Sequence, residues 1–183
     1  DPFFLSSYEF LTYGKVKIAQ ANAFVYGWGV NAIFATTLWI MARLSQAEVR
    51  GRFMLFFAGS LWNIAITFGL LGILDGHMNA HEMLDMPTVI WPALFISYSI
   101  IAFLVLVIHR SRKHTQTIAP QWFILASLLW FPALFLIAWN GLEINPARGT
   151  LQSIISMWFG QSLIWLWLTP MALGSAYYII PSI

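Results

Sequence analysis

Cysteine is absent from the sequence, so disulfides, iron–sulfur clusters and thiolate metal sites have no ligands from which to form. Charge is scarce too: 9% of the 183 residues are charged, against about a quarter in soluble domains. The few charges cluster between long apolar runs instead of lining a polar face on every helix, which excludes an ordinary soluble domain. A net charge of +2, with its basic residues at segment ends, leaves no footprint for a nucleic-acid partner. There is no phosphate-cradling glycine loop and no nucleophile-elbow serine. No basic and apolar leader with a small-residue cleavage site follows Asp1, and the closing "YYIIPSI" has no polar tail. Both ends are therefore expected to continue into a longer chain.

What the sequence does have is apolar: 60% hydrophobic residues, 17% aromatics and a mean hydropathy of +0.74. A helix needs about 20 residues to cross a hydrocarbon core of about 30 Å. Five runs qualify, at about 22–44, 53–74, 88–108, 121–141 and 151–180. The expected fold is all-α, a polytopic integral membrane helix bundle with five transmembrane helices forming a single transmembrane domain over 1–183. Short linkers make consecutive helices antiparallel neighbours.

Basic residues near span ends are biased to the cytoplasm. Arg43, Arg50, Arg52, Arg110, Arg112 and Lys113 lie on one side; Lys15, Lys17 and Arg148 lie on the other, with the acids Asp75, Glu82 and Asp85. This puts the amino terminus in the periplasm or outside the cell. Trp91, Trp122, Tyr177 and Tyr178 stand near span ends as headgroup anchors. Trp62, Trp130, Trp165 and Trp167 are too central for that, and their indole N–H groups want partners. Helix packing is their first reading, and the walls of a cofactor cavity the second.

On the first span Ala23, Gly27 and Ala35, with Asn31 between, are spaced to let a neighbouring backbone approach. Asn31 on this span, with Asn63 and Thr67 on the second, is expected to hydrogen-bond between helices. No Asp, Glu, Lys, Arg or His stands in the middle of a span, which argues against a self-contained ion-coupled transporter. His77 and His81 have the i, i+4 spacing of metal ligands, but a solvated loop is the simpler reading. His109 and His114 belong to "HRSRKH", an anchoring cluster suited to anionic lipid headgroups.

Two distant stretches resemble one family. "FLTYGKVKIAQANAFVYGWGVNAIFATTLWIMARL" is similar to the second helix of the catalytic subunit of haem-copper oxygen reductases, in particular the cbb3-type cytochrome c oxidases. "WFGQSLIWLWLTPMALGSAYYIIP" resembles the helix of that branch that reaches the binuclear centre. Between them "HEMLDMPTVIWPALFISY" and "QWFILASLLWFPALF" fit the same helix order. The resemblance covers nearly the whole chain, as helices two to six of a subunit I with twelve or more.

It implies that Gln20 stands where the family has a histidine ligand of low-spin haem b, and Gln161 where it has a histidine ligand of copper. Imidazole is a favoured ligand of both metals, whereas a carboxamide offers a weakly donating oxygen on a flexible stem. Gln161 is then expected to satisfy itself against a neighbouring helix, and Gln20 to do likewise or to meet headgroup water. Met157 and Met171 are soft donors in principle, with packing as their simpler role.

Three readings follow. The leading one is a haem-free and copper-free relative of the catalytic subunit, retained as a structural or docking subunit of a membrane electron-transfer complex in the bacterial inner membrane. Its partners would be other membrane subunits, a c-type cytochrome and lipids. The second is a divergent oxygen reductase, with haem b and copper held by further ligands beyond Ile183. The third is a membrane binding protein for lipid, quinone or pigment.

Overall fold

Among the described residues the apolar runs fold into five long helices, and their ends are set by residues that leave the right-handed helical conformation. The computed structural model describes residues 7–49, 51–113 and 116–180; Arg50 and His114 lie outside the described residues. After a short 3₁₀ turn at Glu9–Leu11, α1 is Tyr13–Ser45, α2 Arg52–Asp75, α3 Thr88–Arg110 and α4 Ala119–Ile144. The fifth, α5, is continuous over 150–179. α1 starts well before the expected Asn22, because "YGKVKIAQ" continues the helix although it is not apolar.

Gln46, left-handed at φ 49°, closes α1, and Gly76 at φ 99° closes α2. At the end of α2 the His77 N–H reaches back to Gly72 O at 2.8 Å, which satisfies a helix-end carbonyl and turns the chain into the next loop. Pro92 and Pro120 stand in the first turns of α3 and α4, where their missing N–H costs nothing.

Among the described residues there is no strand, and the molecule is a polytopic membrane helix bundle. α1 to α4 are long and apolar enough to cross a membrane. α5 is as long, but its glutamines, serines and tryptophans dilute its apolarity, so it falls short of the other four by composition.

Consecutive helices pack as antiparallel neighbours, and α1 also crosses α3 and the second half of α5. The core lies along α3 and α4. Leu94, Tyr98, Ile101, Val105 and Ile108 face Ile124, Leu128, Phe131 and Phe135 at helical spacing, all buried. Tyr98 lies 4.2 Å from the Phe131 ring centroid, and Trp62 and Trp167 flank it at 6.4 and 6.2 Å.

Among the described residues three wide π turns occur, two inside helices, at Ala23–Gly29 in α1 and Leu163–Leu168 in α5, and one at the end of α4, Asn140–Ile144. A π turn shifts the hydrogen-bond register and leaves carbonyls needing donors. Side chains supply them: Trp62 Nε1 donates to Tyr26 O at 2.9 Å and Ser127 Oγ to Trp167 O at 2.6 Å. In α5 the turn leads into Pro170, which has no N–H to give, and the Thr169 hydroxyl bonds Ile164 O at 2.9 Å.

Several sequence expectations need correction. Trp91 is no headgroup anchor: it is 1% exposed and donates to Met86 O at 3.1 Å. Of the four central tryptophans, Trp62 and Trp167 are buried and hydrogen-bonded, whereas Trp130 and Trp165 lie on outer faces. The Ala23, Gly27, Ala35 stripe is not where the chain approaches closest, since a Cβ at Gly27 would meet Ile66 only at 3.9 Å. Close approach falls on α2, where a Cβ at Gly72 would lie 2.5 Å from the Pro87 ring.

Candidate functional site

Gln20 is in the amino-terminal third of α1, just before its π turn, and Gln161 is the residue before Ser162, where the π turn of α5 begins to form. Both side chains are exposed on the outer surface of the bundle. Neither makes a side-chain hydrogen bond among the described residues, so no bond joins them and the expected contact of Gln161 with a neighbouring helix is not made within this chain. Nearby on the same outer surface, Phe24 and Trp28 of α1 stack with ring centroids 5.3 Å apart. Beside Trp28, a shallow groove of about 320 Å³ runs between α1 and α5, lined by Ala32, Ile33, Leu168, Met171 and Ala172.

The remaining candidate donors are dispersed. His77 pairs with Asp75 at 3.0 Å on an open surface, and His81 lies in the loop after α2, not on a helix with it. Among the described residues no three metal-ligating side chains gather. His109 is at the opposite end of the bundle, 3.2 Å from an Arg112 guanidinium nitrogen. Met171 is buried and accepts a 3.1 Å hydrogen bond from Thr37, while Met157 points outward.

Asn31 and Asn63 behave as expected of an interhelical pair. Each donates to the other's carbonyl oxygen, at 3.0 and 3.2 Å. Their second N–H groups bond Gly27 O and Gly59 O, so all four donors are satisfied. Thr67 bonds Asn63 O within its own helix.

The most organised polar assembly is one that sequence reasoning missed, at the end of the bundle where α1 begins. There the α2–α3 loop, residues 76–87, folds over the helices and is tied to three of them. Tyr26 of α1 donates to Met83 O at 2.5 Å, Ser156 of α5 accepts the Glu82 N–H at 2.8 Å, and Trp91 of α3 holds Met86 O. Met83 is left-handed at φ 61°, uncommon for a residue other than glycine. Gly69 and Gly72 of α2 leave room for Met86 and Pro87, and Gly160 of α5 for Glu82.

At the centre Asn22, wholly buried, donates to Asp85 Oδ2 at 2.8 Å and to Ile18 O at 3.0 Å. Its own Oδ1 is buried with no donor among the described residues. Burial raises the Asp85 carboxyl above its ordinary value and Glu82 adds to the rise; the bond from Asn22, a backbone N–H and His81 work the other way. The available sequence signal was Asn22 and Tyr26 one turn apart on α1, with an acid in a loop that must cover them.

No protein-family model matches the chain, but curated relatives do. It is 23% identical to a cytochrome c oxidase subunit 1 homolog of Azorhizobium caulinodans, covering 98% of this chain and 34% of the relative. It is 22% identical to the cbb3-type cytochrome c oxidase subunit CcoN1 of Stutzerimonas stutzeri, covering 98% and 39%. For cytochrome c oxidase subunit 1 of Rhodobacter capsulatus the identity is 22%, with 93% and 34% covered. The chain thus spans between a third and two fifths of the length of these curated relatives. Over nearly its whole length the chain is thus similar to subunit 1 of bacterial cytochrome c oxidases, and its apolar helices are those of an integral membrane protein.

Proposed function

We propose that this chain is a haem-free, copper-free relative of the oxidase catalytic subunit, acting as a structural or docking subunit of a membrane electron-transfer complex. The observation that carries the reading is Gln161: a carboxamide at mid-helix in α5, exposed and without a side-chain hydrogen bond among the described residues. At membrane depth an unmet amide is costly, so another polypeptide placed against α5 would relieve it. Gln20 on α1 has the same exposure.

The donor set argues against a metal at either position. Amide oxygen is a weak donor to haem iron and copper, which favour imidazole or sulfur. Among the described residues His77, His81 and His109 stand at helix ends or in loops, and Met171 is occupied by Thr37. Partners would be other membrane subunits, with a c-type cytochrome among them, and lipids. The distribution of basic residues supports an orientation in the bacterial inner membrane with the start of α1 on the periplasmic side.

One observation favours the divergent oxygen reductase instead: the aligned relatives extend well beyond this segment, and histidines encoded after Ile183 would bring haem b and copper back into play. The groove beside Trp28 is the feature on which a lipid, quinone or pigment reading would rest. The docking reading is tested by a photoreactive residue at position 161 in native membranes. Cross-linking to another transmembrane subunit supports it; cross-linking to lipid alone contradicts it.

A further inference from the structure

We infer that the α2–α3 loop carries a proton-operated clasp: a proton taken up by Asp85 closes a reciprocal acid–amide pair with Asn22 and fixes the loop on α1. The geometry leaves one bond to be made. Both amide N–H groups of Asn22 are used, on Ile18 O and Asp85 Oδ2, which fixes the orientation of the amide. Its Oδ1 is then a buried acceptor facing no donor, a costly state. A carboxylate only accepts, but a carboxylic acid has one O–H to donate. The proton binds the Asp85 carboxyl, and its O–H meets Asn22 Oδ1 while the existing N–H bond to Asp85 remains. Asn31 and Asn63 make the equivalent two-way pair between α1 and α2 in this same chain.

The surroundings favour the neutral acid. The group is partly withdrawn from solvent, which holds Asp85 above the ordinary carboxylate range. On the loop it faces Glu82 and His81, and on α1 Tyr26. Lys15 of α1 lies by Gly76, and Asp75 and His77 pair with each other at the start of the loop. The α5 side offers Ser156 and Gln152, neither of which titrates. The loop also walls a recess of about 370 Å³ with those two residues, so the clasp governs how firmly that wall is held.

The sign follows from linkage. A carboxyl raised in the folded protein binds its proton more tightly there than in the unfolded chain. The stability it contributes is fully present below the unfolded value and is lost as pH rises through the folded one.

The test is hydrogen exchange of loop 76–87 in the full chain in detergent micelles, corrected for intrinsic rates, between about pH 4 and pH 8. Protection should fall about tenfold for each unit by which the folded value exceeds the unfolded one. Asp85→Asn, which supplies donor and acceptor permanently, should be protected at every pH; Asp85→Leu should be unprotected throughout; His81→Gln should keep the pH-dependent loss of protection but move it to higher pH, because the charge of His81 lowers the Asp85 carboxyl. An infrared carboxylic-acid band in the wild type should vanish over the same pH range, a reading that does not depend on how the variants fold. Wild-type protection that does not change with pH, an Asp85→Asn loop as exposed as that of Asp85→Leu, or the absence of that band would overturn the clasp.

Discussion

Trp62 of α2 donates its indole N–H to the backbone carbonyl of Tyr26 across 2.9 Å, at the π turn of α1. The carbonyl belongs to the widened turn and the indole is wholly buried. Where Ser127 meets Trp167 O, the same arrangement recurs between α4 and α5. Interhelical donors thus stabilise the wide turns that follow the two glutamines.

Trp62→Phe keeps an aromatic ring but leaves Tyr26 O without its donor. The expected loss is about 1–3 kcal/mol, read by equilibrium unfolding in mixed micelles. Ser127→Ala should lose a similar amount, since Trp167 O is equally buried.

Gly72 and Gly59 lie on the same helix and should respond oppositely to alanine. At Gly72 the new Cβ meets the rigid Pro87 ring at 2.5 Å, and overpacking of this kind costs about 1–3 kcal/mol. At Gly59 a Cβ would meet nothing within 4 Å beyond its own stretch of helix backbone, so the change should be neutral or stabilising by up to about 1 kcal/mol. Thermal midpoints of the two variants in one detergent decide the matter.

Asn31 and Asn63 should be energetically coupled. Single alanine variants and the double variant form a cycle whose interaction term should be about 0.6 kcal/mol, with about 1.7 as an upper bound for such pairs in membranes. A coupling of zero would mean that lipid or another helix replaces the lost partner at no cost.

Gln161→Leu should leave the stability of the isolated chain within about 0.5 kcal/mol, because Gln161 bonds nothing in it. In native membranes the same variant should lower the yield of the assembled complex, measured by co-purification against the wild type.

The helices were legible because apolar runs of spanning length admit few other folds, and the Asn31–Asn63 pair because two amides on adjacent spans seek each other. The start of α1 was not: "YGKVKIAQ" is polar and helical, and hydropathy sees only its polarity. Trp91 was misjudged since its place at a span end hid the loop that buries it. The π turns leave no clear mark in composition, although the glycines in "AFVYGWG" and the proline after "LIWLWL" are compatible with them. The assembly of Asn22, Tyr26, Asp85 and Ser156 draws on α1, α5 and the loop between α2 and α3, a meeting that no spacing along the chain encodes.

Metal and haem content settles the central claim most directly. The complex is purified from native membranes, its chains are separated under conditions that retain haem, and iron, copper and reduced-minus-oxidised spectra are measured for this one. The account predicts neither metal in stoichiometric amount and no haem b signal from this polypeptide. Haem iron or copper that travels with it, and is lost from Gln20→Ala or Gln161→Ala, would contradict the account.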